Sequence, residues 1–210
     1  MKGIKNLIFD FGNVLFDIDL SLIEEGLQQS FGEQYAAVRQ KLQQNRIIEL
    51  YETGGLSTTD FVETIRQAGH PAIPADQVIG AWNSIFIGMP AARFDMLLRL
   101  RQQYKVFLLS NINELHAGWI TDYMVREHQI RDYESLYFDG TYFSHLVRLR
   151  KPDREIFEYV LADAELLPEE TAFFDDMEIN VEAARQVGIQ GIWHPSGSDI
   201  VERMRTFEKL

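Results

Sequence analysis

The stretch NLIFDFGNVLFDID, residues 6 to 19, begins with an apolar run and then places a charged residue, Asp10, directly after it. The apolar part, residues 4 to 9, lacks the polar alternation of a strand with one face in water, so it is typical of a strand buried on both faces. Comparable runs follow later in the chain, separated by helical patterns, at residues 105–110, 171–176 and 188–193. This alternation predicts an α/β fold with a doubly wound parallel sheet covered by helices on both sides.

The overall composition limits the class of protein. The 210 residues are 46% apolar, enough to fill the core of one domain or of one domain with an insertion. A formal net charge of -12 argues against a nucleic-acid surface and favours a small phosphorylated metabolite as partner. The longest uncharged run, residues 77–92, is too short for a membrane helix, and there is no cysteine. We therefore expect a cytoplasmic protein without a membrane partner, and predict no particular oligomeric state.

Between the first two predicted strands lies a long interval with apolar residues at helical spacing. Within it, the stretch TGGLSTTDF at residues 53–61 is typical of a helix end, a turn and a new helix start. We predict a helical cap domain over residues 16–88, inserted into an α/β core domain formed by residues 1–15 and 89–210. Residues 132–150 are interpreted as a strand followed by a loop.

Polar residues stand where the predicted strands end or where a following helix begins. They are Asp10, Ser110, Asn111, Lys151, Asp175 and Asp176. Taken one at a time, such residues are usually helix caps, turn residues or solvated side chains. In a doubly wound sheet, however, ligands bind outside the carboxyl ends of the strands, so the combination predicts one site at that rim.

Four motifs carry this combination: FDFGNV, LLSN, RKPDREIF and FFDDMEINVEAARQVG. In sequence and spacing the chain resembles the haloacid dehalogenase superfamily, in the branch with a helical cap after the first strand. More narrowly, FDFGNVLFDID, LSNINELH and FFDD with Asn180 resemble bacterial sugar-phosphate phosphatases of the α-D-glucose-1-phosphate phosphatase type. The resemblance implies a Mg²⁺-dependent phosphatase that hydrolyses a small phosphomonoester, such as a sugar 1-phosphate, through an aspartyl-phosphate intermediate.

The resemblance also implies residue roles. The Mg²⁺ ligands would be Asp10, the carbonyl of Gly12 and Asp176, with Asp175 acting indirectly or through water. Asp10 would be the nucleophile and Lys151 a fixed positive charge beside it. Ser110 and Asn111, with Lys151 and nearby backbone amides, would bind the phosphate.

One position departs from the family pattern. Most phosphatases of the family carry a second aspartate two residues after the nucleophile as general acid and base, a group typically worth about 10²- to 10⁴-fold in rate. Gly12 occupies this position. Three explanations stay open: a good leaving group such as an anomeric oxygen, weak catalysis, or replacement of the acid by Asp17, Asp19 or His116.

Two other functions also stay open. The dehalogenases of the superfamily lack the second aspartate too, so a metal-independent 2-haloacid dehalogenase is an alternative. A non-catalytic phosphate-binding or interaction module is another. The acidic pair Asp175 and Asp176 favours the metal-dependent phosphatase, because without a cation it would repel a halocarboxylate.

Overall fold

A computed structural model describes residues 3–208, apart from the side chain of Asn45. Its strands are β1 (Asn6–Phe9), β2 (Asp17–Ile18), β3 (Phe86–Gly88), β4 (Lys105–Ser110), β5 (Gly140–Phe143), β6 (Thr171–Asp175) and β7 (Gln190–Trp193). Five of them form a parallel sheet in the order β5-β4-β1-β6-β7. This confirms the predicted doubly wound fold class. Strand β1 lies in the middle, where Phe9 pairs with Leu108 on one side and Phe174 on the other.

Twelve α-helices occur within the described residues. They are α1 (Leu20–Phe31), α2 (Tyr35–Gln43), α3 (Ile47–Glu52), α4 (Thr58–Ala68), α5 (Ala75–Asn83), α6 (Ala91–Leu100), α7 (Glu114–His128), α8 (Tyr133–Tyr137), α9 (Ser144–Val147), α10 (Arg154–Asp163), α11 (Glu178–Gln186) and α12 (Ile200–Phe207). Short 3-10 helices span Gly32–Gln34, Gln44–Arg46 and Pro168–Glu170. No helix between residues 3 and 208 has the length and apolar character needed to cross a bilayer.

The central strand is buried on both faces. Leu7 and Phe9 belong to a core cluster that includes residues of α6, α7 and α12, whereas Ile8 points into a second cluster with residues of α10 and α11. Each such side chain contributes roughly 1.5–3 kcal/mol by leaving water. The apolar run therefore fixes β1 between two helical layers, and this holds the backbone of the next residue, Asp10, in place.

Helices α1 to α5 pack around a cluster of their own, separate from the sheet. At its centre the rings of Tyr51 and Phe61 stack at 4.1 Å, and Trp82 meets Phe61 edge-on at 4.7 Å. The turn between α3 and α4 matches the TGGLSTTDF prediction, since Ser57 caps α4 by accepting from the N–H of Asp60. The antiparallel pair of β2 and β3 lies where the chain leaves and rejoins the core. The domain limits 1–15, 16–88 and 89–210 stay a prediction.

Residues 132–150 differ from their interpretation as a strand followed by a loop. The strand is present as β5, but the short helices α8 and α9 flank it. Helix α8 forms because Tyr133 and Tyr137, one turn apart, are both buried, and the ring of Tyr137 lies 5.1 Å from that of Phe94 in α6. The sequence pattern hid this helix because it spans little more than one turn.

Candidate active site

Asp10 lies directly after β1 at the carboxyl edge of the sheet. Its backbone N–H donates to the carbonyl of Phe174 at 2.8 Å, so sheet-type pairing continues to the aspartate itself. Both neighbouring strands, β4 and β6, also end at this edge. The apolar run of the sequence therefore holds one carboxylate rigidly where ligands of this fold class bind.

Lys151 makes the central contacts of the site. It lies between α9 and α10 and is only 2% exposed. Its Nζ donates to Asp10 Oδ1 at 2.6 Å, to Asp175 Oδ2 at 2.7 Å and to the carbonyl of Leu109 at 3.0 Å, which accounts for all three of its N–H donors. Burial by itself lowers the pKa of Lys151, but the charges of Asp10 and Asp175 outweigh it and raise that pKa. The lysine is therefore a fixed cation.

Asp175 is fully buried and held from several sides. Besides Lys151, it accepts hydrogen bonds from the N–H of Met177 at 2.8 Å and from Asn180 Nδ2, which lies 2.9 and 3.1 Å from its two oxygens. Asn180 stands in the first turn of α11. Both oxygens of Asp175 are thus engaged by protein groups, and its predicted indirect role at a metal stays a prediction.

Asp176 stands beside this network and is less buried. Oxygen atoms of Asp10, Asp175 and Asp176 all lie within 4.8 Å of one another. Burial raises the pKa of Asp176, and the charge of Asp175 raises it further. Burial also raises the pKa of Asp10, against the opposing charge of Lys151. Three carboxylates against one lysine leave an excess of negative charge, and oxygen ligands grouped in this way suit a hard divalent cation such as Mg²⁺.

The predicted phosphate-binding residues have different surroundings. Asn111 donates from Nδ2 to the carbonyl of Lys151 at 2.8 Å and accepts from its N–H at 2.8 Å, so its side chain clamps the backbone that carries the lysine. Ser110 is buried at the end of β4 and lines a cavity. The phosphate-binding role of both residues, like the metal-binding role of the Gly12 carbonyl, stays a prediction.

A cavity of about 360 Å³ adjoins this rim and is lined in part by residues of α1, α2, α3 and α5. Gly12, Ser110 and Asn111 form its floor. Most of its wall is apolar, from residues that include Ile18, Leu20, Ile23, Leu27, Leu42, Ile48, Trp82, Ile85, Phe86 and Ile112. Polar groups enter it at a few points only, among them Tyr35, Arg39 and Glu52.

The three residues considered as replacements for the missing acid are engaged elsewhere. Asp17 pairs with Arg93 at 2.7 Å, and Asp19 caps α1 by accepting from Ser21. His116 lines the cavity, but its Nε2 lies 3.1 Å from the carbonyl of Trp82 and must donate to it. Burial lowers the pKa of His116 to about 4, so the ring is neutral near pH 7. These contacts support none of the three as a proton donor to a substrate.

Several side chains of the site received no role from the sequence. Asn13, next to Gly12, has a left-handed backbone with φ 57°, and its side chain acts to lower the pKa of Asp176, against the rise caused by burial. Asn180 anchors Asp175. Its position five residues after Asp175, in the first turn of α11, is the sequence signal that could have identified it. Arg150 forms an ion pair with Glu52, 3.1 Å from Nη2 to Oε2. The pair links the sheet side of the molecule to the helical segment, helices α1 to α5. That pair joins residues almost a hundred positions apart, beyond the reach of local patterns.

A buried lysine thus bridges two carboxylates at the rim of a doubly wound sheet. The chain belongs to the haloacid dehalogenase-like hydrolases, whose family model matches residues 4–188. The predicted family and enzyme class are confirmed.

The relatives of the chain are similar over most of its length. A D-ribitol-5-phosphate phosphatase of Bacteroides thetaiotaomicron is 29% identical over 199 residues, which cover 93% of this chain and 94% of that protein. The sesquiterpene phosphatase astK of Aspergillus oryzae is 32% identical, with 90% and 88% covered. Among solved structures, a HAD family enzyme of Bacteroides thetaiotaomicron, bt-2542, in complex with magnesium and inorganic phosphate, has a TM-score of 0.84 at 34% identity, with 94% and 97% covered.

Proposed function

We propose that this hydrolase is a Mg²⁺-dependent phosphatase that cleaves a small phosphomonoester, such as a sugar 1-phosphate, through an aspartyl phosphate on Asp10. The observation that carries the proposal is the 2.6 Å contact between Lys151 Nζ and Asp10 Oδ1 beside the three-carboxylate cluster. A carboxylate fixed at the sheet rim next to a buried cation has the position and charge balance required of a nucleophile toward phosphorus.

The donor set fits magnesium. Asp10, Asp176 and the Gly12 carbonyl would hold the ion, with Asp175 bound through water, because its oxygens already accept from Lys151, Asn180 and Met177. Bound Mg²⁺ supplies positive charge that keeps Asp10 ionised and offsets the charge of the phosphate. The magnesium and phosphate bound to the related bt-2542 support this assignment.

The protein residues divide the remaining work. Lys151 holds Asp10 in one orientation, and Asn111 holds Lys151 through its backbone. Asp10 attacks the phosphorus atom of the substrate, and the oxygen of the leaving alcohol departs. Ser110, whose hydroxyl has no hydrogen bond to the described residues, would donate to a phosphate oxygen. Water then hydrolyses the aspartyl phosphate and restores Asp10.

The organic part of the substrate would occupy the adjoining cavity. A sugar phosphate is supported by the relative named for D-ribitol 5-phosphate. The apolar wall favours a second candidate, the phosphate of an apolar alcohol, and one relative is named a sesquiterpene phosphatase. A panel that compares sugar 1-phosphates, sugar-alcohol phosphates and isoprenyl phosphates decides between them by kcat/KM. A small phosphorylated metabolite as partner and a cytoplasmic location remain parts of this proposal.

The test is release of phosphate from p-nitrophenyl phosphate with Mg²⁺ and with a chelator. We expect activity with Mg²⁺, loss with chelator, and loss of at least about 10³-fold in Asp10→Asn, because an amide cannot form the phosphoryl intermediate. Asp122→Asn, at an exposed residue of α7, is the matched control and should keep full activity. Chelator-resistant release of chloride from 2-chloropropionate would instead establish the dehalogenase, and no turnover of either substrate would favour a binding module.

A further inference from the structure

The site has a nucleophile and a cation, but the group that should protonate the leaving alcohol is missing at Gly12. The three nearby replacements are held in other contacts: Asp17 by Arg93, Asp19 by Ser21, and His116 by the carbonyl of Trp82. Without a proton, the alcohol must leave as an alkoxide, which is a poor leaving group. A proton donor at the cavity would remove this limit.

Glu52 is a carboxyl group in the wall of this cavity, whereas neither Asp17 nor Asp19 lines it. Glu52 is the last residue of α3 and lines the same cavity as Gly12 and Ser110, with its side chain 19% exposed. Within residues 3–208 the cavity wall contains one other carboxylate, that of Glu24. Glu24 is 53% exposed in its side chain and accepts a hydrogen bond from Tyr35, so it belongs to the outer end of the cavity.

The surroundings of Glu52 favour a carboxyl group that exchanges protons. Its Oε2 is buried and, although it lies 3.1 Å from Arg150 Nη2, makes no hydrogen bond within the described part of the chain. The charged groups around it are Arg150, Glu49 and Lys151. Burial raises the pKa of Glu52 and Glu49 adds to the rise, while Arg150 and Lys151 oppose it, and the net direction is upward. A raised carboxyl pKa brings a general acid closer to neutral pH, where it works best.

The geometry points to Glu52 as the general acid and base of the reaction, an inference that rests on the proposed phosphatase function. As Asp10 forms its bond to phosphorus, the bond from phosphorus to the leaving oxygen breaks with its electron pair on that oxygen, which takes the proton of Glu52. The resulting Glu52 carboxylate then takes a proton from water as the water oxygen bonds to phosphorus and the bond to Asp10 breaks. The products are the alcohol and phosphate, and Glu52 is protonated again.

The decisive experiment compares leaving groups in Glu52→Gln. Glutamine keeps the size of the side chain but has no proton to give. For D-ribitol 5-phosphate, a primary alkyl ester, we expect kcat to fall by about 10²-fold or more. For p-nitrophenyl phosphate, whose leaving group departs as a stable anion, we expect a fall of less than about tenfold.

Glu49→Gln is the matched control, because Glu49 also pairs with Arg150, at 3.3 Å, but does not line the cavity. It should change both substrates by the same small factor. An equal fall in kcat on both substrates in Glu52→Gln would overturn the assignment. It would show that Glu52 serves only to link the helical segment to the core. Hydrolysis of the aryl but not the alkyl ester by the unmodified protein would overturn the assignment too. Inactivity of the unmodified protein on both esters would instead overturn the proposed function.

Discussion

The Lys151 network at the rim of the sheet and helices α1 to α5 above it differ in how some of their buried polar atoms are paired. At the rim, Lys151 uses every donor, and both oxygens of Asp175 accept hydrogen bonds. In the helical segment, Trp82 Nε1, Asn83 Oδ1 and Glu52 Oε2 are buried without a hydrogen-bond partner among residues 3–208. Paired groups are held in one arrangement, whereas unpaired buried groups cost free energy until a ligand or water meets them. The proposed reaction centre is thus held in one arrangement by its own groups, whereas the helices above it contain buried polar atoms that no described residue pairs.

The largest effect should come from removing the cation of the rim. Lys151→Met keeps most of the side-chain volume but leaves Asp10 and Asp175 buried without their partner, which costs about 3–5 kcal/mol in comparable pairs. We expect kcat/KM to fall at least about 10²-fold and thermal stability to drop, with added Mg²⁺ restoring part of the stability. Lys105→Met, at an exposed lysine, is the control for calorimetry and kinetics. Near-normal values for Lys151→Met would mean that the rim network is dispensable.

The next effect distinguishes the two adjacent aspartates. Asp176→Ala should weaken Mg²⁺ binding more than Asp175→Ala, and by more than the roughly 10- to 100-fold typical of a residue behind the ligands. Asp175→Ala should lower thermal stability more, because Asp175 is fully buried and anchored by Asn180. Titration calorimetry with Mg²⁺ checks the order of Mg²⁺ affinity, and thermal unfolding of both variants checks the order of stability. A reversed order of Mg²⁺ affinity would exchange the assigned roles without changing the reaction class.

A smaller effect concerns His116 in the cavity wall. Its pKa in the folded chain is about 4, below the ordinary 6.5, so the unfolded chain binds a proton at higher pH than the folded chain. The free energy of unfolding should therefore fall as pH falls from 6.5 toward 4, by up to about 3 kcal/mol from this residue. His116→Gln should lose less stability than the unmodified protein over this interval in denaturant titrations. His70→Gln, at an exposed histidine, should behave like the unmodified protein, and the same slope in all three chains would rule the effect out.

The smallest effect lies at the boundary between rim and cavity. A Cβ atom on Gly12 would lie 2.8 Å from Ile18 Cδ1, the movable end of a side chain, so Gly12→Asp needs room that Ile18→Val provides. The double substitution should supply an acid beside the leaving group. We expect it to raise kcat on alkyl phosphates by about tenfold in the Glu52→Gln background, less than the roughly 10²- to 10⁴-fold typical of a well-positioned general acid. Ile18→Val alone is the control, and a gain of the same size in that control would show that space, not acidity, is responsible.

The sequence predicted the rim well because its information is local. A buried parallel strand is a short apolar run, and the residue that follows it lies at the carboxyl edge, so Asp10 and the pair Asp175 and Asp176 could be located from pattern alone. The strand limits shifted by a residue or two. Strand β7, for example, begins at Gln190 because Gly188 turns the chain with φ 90°.

The cavity wall was out of reach because it is assembled from distant segments. The pattern indicated that α3 is a helix, but not that its last residue, Glu52, lies against Arg150. The same holds for Asn111, whose predicted phosphate-binding role gave no sign that its side chain also clamps the backbone of Lys151. These contacts of the Asn111 side chain with the Lys151 backbone depend on how two loops, distant in sequence, approach each other at the sheet edge.

Trapping the covalent intermediate tests the central claim, that Asp10 is the nucleophile, most directly. The protein is mixed with p-nitrophenyl phosphate and Mg²⁺, quenched in acid within one turnover, digested and analysed by mass spectrometry. We expect a phosphoryl group on the peptide containing Asp10 in the unmodified protein, and none in Asp10→Asn. We also expect the phosphopeptide to disappear at the rate at which phosphate is released. Rapid turnover with no phosphorylated peptide, or phosphate carried on a different residue, would contradict the claim.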